Sequence, residues 1–168
     1  MASKKAYKTK TYSKLVKKNG KVVGRIHQET SIEKTFRLLL QSCKIPYLQE
    51  FHLAPKYYDF LIIDSPEPEV VIPVLLVEIH GDYFHGREYI VEKTIGFSKL
   101  KRIQKKNIFN DRRKRLLAEQ KQLPLLTIWE RDLQDMTAVK ETLYSELKKV
   151  YGEIPRFHHF TDAMTEKG

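Results

Sequence analysis

The run "VVIPVLLVEI" (70–79) is apolar at nearly every position, and this sets the strongest constraint on the fold. A strand with one face in water alternates apolar and polar residues, whereas a strand covered on both faces does not. The turn-forming "SPEPE" separates this run from "YYDFLIID" (57–64), which is rich in aromatic and β-branched residues. The two runs predict neighbouring strands, paired as a hairpin, in a sheet with helices on both faces.

Three segments supply helices for those faces. Helix 31–43 is predicted from apolar residues at helical spacing, namely Ile32, Phe36, Leu39, Leu40 and Cys43. A second helix should begin at Asn107 or Asn110 and end near Gln122, before Pro124, with Leu116, Leu117 and Ala118 facing inward. A third helix, over about 133–150, carries one apolar face formed by Leu133, Met136, Val139, Leu143, Leu147 and Val150.

One further strand completes the predicted fold. It is "LLTIWE" (125–130), between the second and third helices. Residues 44–56 are predicted to be a connection, and 87–106 a loop with some helix. The order helix, strand, strand, helix, strand, helix predicts an α/β fold in which helices cover both faces of a mixed sheet, a three-layer α/β/α sandwich.

Positive charge is concentrated near the N-terminus. Residues 1–25 contain nine basic side chains and no acid, so the rest of the chain contributes only one of the ten net positive charges. Such an arm can neutralise phosphates and give salt-sensitive affinity. We predict a flexible basic DNA-binding arm over 1–25, with a small hairpin at Asn19-Gly20, one globular domain over 26–152 and a tail over 153–168. A solvated arm without a partner is the alternative.

A second basic group lies inside the domain, where residues 99–115 hold nine basic side chains and the single acid Asp111. Neither group has a large apolar face, which favours nucleic acid over a membrane surface as partner. No apolar run approaches the roughly 18 residues of a membrane span, and no apolar segment of a secretion signal follows the basic N-terminus. The single cysteine, Cys43, excludes an intramolecular disulfide and a Cys-rich zinc module, so we expect a reducing, cytoplasmic location.

Ionisable residues gather where the two predicted strands end. Pairing brings Asp59 and Glu78 to one end of the sheet, within reach of a hard cation such as Mg²⁺, and His80 shares a strand face with Glu78. This order is that of the PD-(D/E)xK nucleases, with histidine in the usual lysine position. Each acid also has a structural interpretation. Asp59 could be a strand-edge residue paired with Lys56 or another base, Glu78 could close an ion pair, and Glu33 fits a capping box with Thr30.

A longer set of residues resembles the very short patch repair endonucleases and the related EDxHD homing endonucleases of phages, within the PD-(D/E)xK superfamily. The resemblance covers about residues 29–133. The matching residues, in order, are Glu33, Asp59, the block His80-Gly81-Asp82-Tyr83-Phe84-His85, Asn107, Asp111-Arg112 and Trp129-Glu130. It implies a restriction-endonuclease-like core, a phosphodiester hydrolase activity on DNA and a phage or mobile-element character, in the cytoplasm of a bacterial or phage-infected cell.

The resemblance also implies roles for individual residues. Asp59 is the central Mg²⁺ ligand, with the backbone carbonyl of Ile79 and, less firmly, Glu78. Glu33 holds water beside the metal, and His80 orients Asp59 or contacts the scissile phosphate. His85 is the general acid or base, and Asp82 occupies the EDxHD acid position. The expected DNA contacts are Lys4, Lys5, Lys8, Lys10, Lys14, Lys17 and Lys18, the aromatic pair Tyr83 and Phe84, and Lys105, Lys106, Asn107, Arg112 and Arg113.

Several properties stay open at this level. Tyr83 and Phe84 could wedge into a base stack or pack against the end of the sheet. Mn²⁺ could replace Mg²⁺, and no zinc is expected, because the cysteines of the repair enzyme's zinc site are missing. The partner is expected to be double-stranded DNA, bound by a monomer or a homodimer. The alternatives are a structure-selective nuclease that nicks mismatches or resolves junctions, and a non-catalytic nucleic-acid-binding protein on a nuclease-like fold.

Overall fold

The computed structural model describes residues 29–67 and 70–151, together with three short strands nearer the N-terminus. These strands are β1 (Tyr7–Lys8), β2 (Lys17–Lys18) and β3 (Lys21–Val22). β2 and β3 pair antiparallel with Lys18 opposite Lys21, as the predicted hairpin requires. The other residues of the predicted arm, the side chains of these strands and the predicted tail lie outside the described residues.

A mixed sheet forms the centre of the domain. Its strands are β4 (Tyr47–Leu53), β5 (Lys56–Glu67), β6 (Val70–His80) and β7 (Leu125–Trp129). β5 pairs antiparallel with both β4 and β6, whereas β7 pairs parallel with β6, and β1 joins the other end of β6. The predicted hairpin of β5 and β6 is therefore confirmed. The connection predicted for 44–56 is wrong, because it contains β4.

The first helix, α1 (Ser31–Ser42), begins as its sequence predicts. The Thr30 hydroxyl accepts a hydrogen bond from the Glu33 backbone N–H at 3.3 Å, and the Glu33 carboxylate accepts one from the Thr30 N–H at 3.1 Å. This capping box satisfies two backbone donors that the first turn leaves free. The structural role expected for Glu33 is thus present, and it fixes where the carboxylate lies.

The second long helix begins earlier than predicted and differs from its prediction on one face. α3 runs from Arg102 to Gln120, so it begins before Asn107. The Gln104 side chain stabilises this earlier start, because its carbonyl oxygen accepts a hydrogen bond from the Lys101 N–H at 2.7 Å. Ala118 is buried as predicted, but Leu116 is 51% exposed. The prediction that Leu116 faces inward is wrong, because α3 joins the apolar cluster on this face of the sheet through Ala118.

The remaining helical segments agree more closely with the sequence. α2 (Arg87–Ile90) and a single turn at Phe97–Lys99 occupy the loop predicted to hold some helix. α4 (Met136–Tyr151) follows a single turn at Asp132–Gln134, which contains the buried Leu133. None of the helices in the described part of the chain combines the length and the apolar character that crossing a bilayer requires.

Two apolar clusters fill the two sides of the sheet. The first joins α1 and α4 to one face, through Phe36, Leu39, Leu40, Phe60, Ile62, Leu75, Val77, Ile79, Ile128, Val139, Leu143 and Leu147 among others. The second lies on the opposite face and includes Ala118 of α3, with Phe51, Tyr58, Leu61, Ile63 and Leu76. Helices therefore cover both faces of a mixed α/β sheet, with α3 on the side opposite α1 and α4.

The alternation of side chains along β5 is interrupted at Asp59. The pairing of β4 with β5 passes from Gln49 opposite Phe60 to Phe51 opposite Tyr58. Between them, Glu50 has a φ of 51°, in the left-handed region that a regular strand does not use. Phe60 packs in the first cluster and Tyr58 in the second. Two residues that are two positions apart in β5 thus lie on opposite faces of the sheet, and Asp59 lies between them.

A matched pair of leucine substitutions tests this packing. Leu143→Ala removes a fully buried side chain between α4 and the sheet, and should lower the free energy of unfolding by about 2–5 kcal/mol. Leu116→Ala, on the exposed face of α3, should change it by less than about 0.5 kcal/mol. Urea denaturation followed by circular dichroism measures both. Equal losses in the two variants would place Leu116 in a core and contradict the fold.

Candidate functional site

The ionisable side chains of β6 face α3. Glu78 and His80 lie two and four residues after Leu76, on the strand face that packs against this helix. Both are buried, which is unusual for such residues unless they are paired or functional. α3 presents Lys114 and Asp111 to them, one turn apart on the same helix face. The end of β6 and the middle of α3 therefore build one polar site.

Glu78 is held in a structural ion pair. The Lys114 ammonium donates to both Glu78 carboxylate oxygens, at 2.9 and 2.7 Å. Tyr58 supports this lysine, because its hydroxyl donates to the Lys114 carbonyl at 2.7 Å and its ring lies 5.5 Å below the ammonium. Burial, together with the charge of Glu78, raises the pKa of Tyr58 to about 12. The structural ion pair considered for Glu78 is therefore present.

Asp59 lies beside this pair on the neighbouring strand. Its Oδ2 accepts a hydrogen bond from the Ile79 backbone N–H at 2.7 Å. Burial raises the pKa of Asp59 to about 8, and the negative charges of Glu78 and Glu33 act in the same direction. The Ile79 N–H and Lys114 oppose this shift without cancelling it. Three carboxyl groups thus share a site with one ammonium, an arrangement that a bound cation would relieve.

The Ile79 backbone and Lys56 complete the surroundings of Asp59. The contact of Ile79 with Asp59 is through the backbone N–H of Ile79. The role of the Ile79 carbonyl as a metal ligand, which the resemblance implies, stays a prediction. Lys56 does not pair with Asp59. Its ammonium donates instead to the Asn110 side chain at 2.6 Å. The pairing with Lys56 considered for Asp59 is therefore wrong, and Lys114 is a base that does act on Asp59.

Two histidines and one aspartate form the second half of the site. The rings of His80 and His85 stack with centroids 3.9 Å apart and planes 13° from parallel. His85 Nδ1 lies 2.6 Å from Asp111 Oδ2, which is a short charge-assisted hydrogen bond. His80 Nε2 lies 3.9 Å from Asp111 Oδ1 and 3.8 Å from Glu78 Oε2. Asp111 therefore fixes the orientation of His85, and His80 links this group to Glu78.

The loop between β6 and α2 holds His85 in place and exposes two aromatic rings. Two side chains of α3 donate hydrogen bonds to the backbone of this loop. Gln104 donates to the Tyr83 carbonyl at 2.8 Å, and Asn107 donates to the Phe84 carbonyl at 3.0 Å. The side chains of Tyr83 and Phe84 are 58% and 57% exposed. They meet edge to face, with centroids 5.4 Å apart. Most of each ring is therefore open to solvent and not packed against the end of the sheet.

Asp82 points away from the histidines. Its carboxylate lies 3.3 Å from the Arg131 guanidinium and also accepts a hydrogen bond from the Arg131 N–H. The Asp82 N–H in turn donates to Glu130 at 3.2 Å. These contacts tie the loop to the turn after β7. The described contacts of the Asp82 carboxylate are therefore with Arg131 and not with the histidines, and its catalytic role stays a prediction.

The basic residues of α3 flank the site. Lys106, Arg112 and Arg113 are exposed, and the Lys105 ammonium lies 5.2 Å from the Phe97 ring. A shallow cavity of about 530 Å³ lies along this helix, lined by Lys106, Asn107, Phe109, Asn110 and Arg113. Cationic, amide and aromatic groups are thus presented together next to Asp111. The expected arm contacts, from Lys4 to Lys18, lie outside the described side chains.

The structure brings together most of the predicted site residues and adds two. Glu33, Asp59, Glu78, His80 and His85 share one end of the sheet, whereas Asp82 does not face them. Two residues lacked a predicted role, and these are Lys114 and Asp111. The signal for Asp111 was present in the sequence, because it is the single acid among nine basic side chains over 99–115.

Two groups of ligand atoms could hold a metal ion. The first is the carboxyl set around Asp59, formed by Asp59, Glu78 and Glu33, whose oxygen donors suit a hard cation such as Mg²⁺. The second is the set of His80, His85 and Asp111, whose nitrogen and oxygen atoms lie within 4.8 Å of one another. The groups differ in donor type, and therefore in the ions they favour.

Substitution of Asp59 should stabilise the protein in a pH-dependent way. Because the pKa of Asp59 is about 8 in the folded chain and near 4 when unfolded, stability falls as pH rises from 4 to 8. Asp59→Asn removes this loss, so it should raise the free energy of unfolding by on the order of 5 kcal/mol at pH 8, since each pKa unit corresponds to about 1.4 kcal/mol, and by very little at pH 4.

Urea denaturation at the two pH values in the absence of divalent cations measures this difference. Asp64→Asn, five residues along the same strand, is the control and should show no comparable pH dependence. A destabilised Asp59→Asn variant at pH 8 would mean that the ionised carboxylate is favourably placed in the metal-free fold, contrary to its surroundings.

Comparisons of the chain with protein-family models, with curated proteins and with solved structures find no match. The relation to the very short patch repair endonucleases therefore stays a prediction from the residues.

Proposed function

We propose that this protein is an Mg²⁺-dependent DNA endonuclease of the very short patch repair and EDxHD type, on a restriction-endonuclease-like core. The observation that supports this most is the meeting of two groups at one end of a sheet: the carboxyl set around Asp59, and the His80–His85–Asp111 set next to it. A cation site beside a proton-transferring histidine is what hydrolysis of a phosphodiester requires.

Asp59 is the residue around which the proposed cation site is built. Its raised pKa reflects buried, uncompensated negative charge, and a divalent cation would stabilise the ionised form. Glu33 lies close enough to add to this charge. Lys114 already neutralises the charge of Glu78, and we propose that this ion pair persists when the cation is bound. When bound, Mg²⁺ polarises the phosphate and stabilises charge on the leaving oxygen.

His85 is the proposed general acid or base. The Asp111 carboxylate accepts a hydrogen bond from the Nδ1–H of His85, which leaves Nε2 as the basic nitrogen. A carboxylate in this position also stabilises the imidazolium that forms when His85 takes a proton. His80, stacked beneath this ring, is the proposed contact to the scissile phosphate.

The DNA would lie across α3 and the loop that carries Tyr83 and Phe84. The exposed Lys106, Arg112 and Arg113 supply phosphate contacts, and the arm supplies more. The two exposed aromatic rings favour a site at which the base stack is opened. This observation keeps a structure-selective nuclease, acting on mismatches or junctions, as the second candidate.

Cleavage of DNA tests the proposal directly. Supercoiled plasmid and a fragmented genomic library should be cut by the protein in Mg²⁺ or Mn²⁺ and not in EDTA. Asp59→Ala should abolish cutting because it removes the central ligand. His85→Gln should slow it by at least about a hundredfold through loss of proton transfer. His52→Gln, an exposed histidine stacked on Tyr57, is the control and should cut normally.

The outcomes of this assay separate the alternatives. Faster cutting of mismatched or branched duplexes than of matched duplex would favour the structure-selective nuclease. Absence of cutting on every substrate, together with DNA binding that does not depend on Asp59, would show a non-catalytic nucleic-acid-binding protein and overturn the proposal.

The arm has a separate, measurable role in the proposal. Deletion of residues 2–25 removes nine basic side chains and no acid. Affinity for duplex DNA should fall, and its dependence on salt concentration should flatten, because fewer counterions are released on binding. Fluorescence anisotropy at several salt concentrations measures both quantities. An unchanged slope would show that the arm makes no contact with DNA.

A further inference from the structure

His80, His85 and Asp111 come from three different elements and converge on one point. His80 ends β6, His85 lies in the loop that follows, and Asp111 is in the middle of α3. One potential ligand atom of each lies within 4.8 Å of the other two. The carboxyl set around Asp59 does not contribute to this triad, and its ligands are oxygens alone.

His80 provides an independent sign that the triad can accept a ligand. The side chain is buried at 6% exposure, and neither ring nitrogen has a hydrogen-bond partner within the described part of the chain. Buried polar atoms are almost always bonded, because leaving one without a partner costs free energy. The ring packs edge to face on Trp129, which holds it against the His85 ring. A metal ion is one ligand that would satisfy such a nitrogen.

We propose that the triad of His80, His85 and Asp111 binds one divalent transition-metal ion of the zinc class, separately from the Mg²⁺ site at Asp59. Two imidazole nitrogens and one carboxylate oxygen suit Zn²⁺, Co²⁺ or Ni²⁺, whereas Mg²⁺ prefers oxygen ligands alone. Three protein ligands leave a fourth position open to solvent.

Binding requires a small rearrangement of the triad. The two rings are nearly parallel, so the in-plane lone pairs of their nitrogens do not converge on one point. One ring must tilt, and His85 must exchange its 2.6 Å hydrogen bond to Asp111 for a shared ion. His85 is the half-buried member and lies in a loop, whereas His80 is fixed by Trp129. We therefore assign the movement to His85.

Occupation of the triad has a consequence for catalysis, which rests on the proposed function. A zinc ion between His85 and Asp111 replaces the hydrogen bond by which Asp111 orients His85 and stabilises its imidazolium, so His85 can no longer act as the general acid or base. Zinc should therefore inhibit Mg²⁺-dependent cleavage, and excess Mg²⁺ should not relieve the inhibition because the two ions occupy different ligands. The triad would act as an inhibitory metal site beside the catalytic one.

The test measures metal binding and not activity. The full chain is prepared with His158→Gln and His159→Gln, which remove the adjacent histidines of the C-terminal segment. In this background His85→Gln and Asp111→Asn each remove one ligand, His52→Gln removes an exposed surface histidine, and Asp59→Asn alters the other site. Zn²⁺ affinity is measured by calorimetry, and Co²⁺ binding by its visible absorption. Circular dichroism confirms that each variant is folded.

The expected result is one equivalent of Zn²⁺ in the parent chain and an affinity at least about tenfold weaker in His85→Gln and Asp111→Asn. The His52→Gln and Asp59→Asn variants should bind Zn²⁺ as the parent does. Absence of binding in the parent, or affinities of His85→Gln and Asp111→Asn within twofold of it, would overturn the proposal. So would loss of Zn²⁺ binding in Asp59→Asn, because the ion would then lie at the carboxyl set.

Failure of the proposed function gives a different pattern. In that case the parent binds Zn²⁺ as expected, while zinc-free protein with Mg²⁺ cuts no DNA substrate. Binding of Zn²⁺ without the expected inhibition in an active enzyme would refute only the regulatory consequence.

Discussion

The antiparallel pairing of β5 with β6 determines which ionisable side chains can meet. With Phe60 opposite Val77, the same register extended by one residue brings Asp59 beside Glu78. A shift of one residue would turn Glu78 and His80 to the opposite face, away from α3. The ion pair with Lys114 and the contacts of Asp111 exist only in this register. The apolar residues between them hold the strands in this register, so core packing and site geometry are specified together.

The ionised form of Asp59 is energetically unfavourable when no cation is bound at the site. The negative charges of Glu78 and Glu33 disfavour the ionised form of Asp59, and the Lys114 ammonium opposes them. The histidine pair adds a buried ring, that of His80, whose nitrogens have no hydrogen-bond partner in the described residues. Sites that bind cations or perform proton transfer characteristically carry such costs, which the rest of the fold must offset. The apolar clusters on both faces of the sheet supply that stability.

Much of the fold could be predicted because apolar patterns and caps are local signals. α1 begins at its capping box, and β5, β6 and β7 follow their apolar runs. β4 was missed because an edge strand is held by backbone pairing that leaves little mark on side chains. The start of α3 was missed because its first turns are anchored by Gln104 and not by an apolar stripe. The roles of Asp111 and Lys114 depend on the angle at which α3 crosses the sheet, which no local pattern encodes.

The loop carrying Tyr83 and Phe84 is fixed through its backbone and not through these side chains. α3 bonds the carbonyl groups of both residues, and further backbone bonds join Gly81 to His85 and Asp82 to Arg87. Gly86 follows with a φ of 67°, a conformation that glycine adopts without strain. Neither aromatic ring is needed to shape the loop. Related chains could therefore exchange these two rings for other side chains on an unchanged scaffold, and so alter what they recognise while the hydrolytic groups stay where they are.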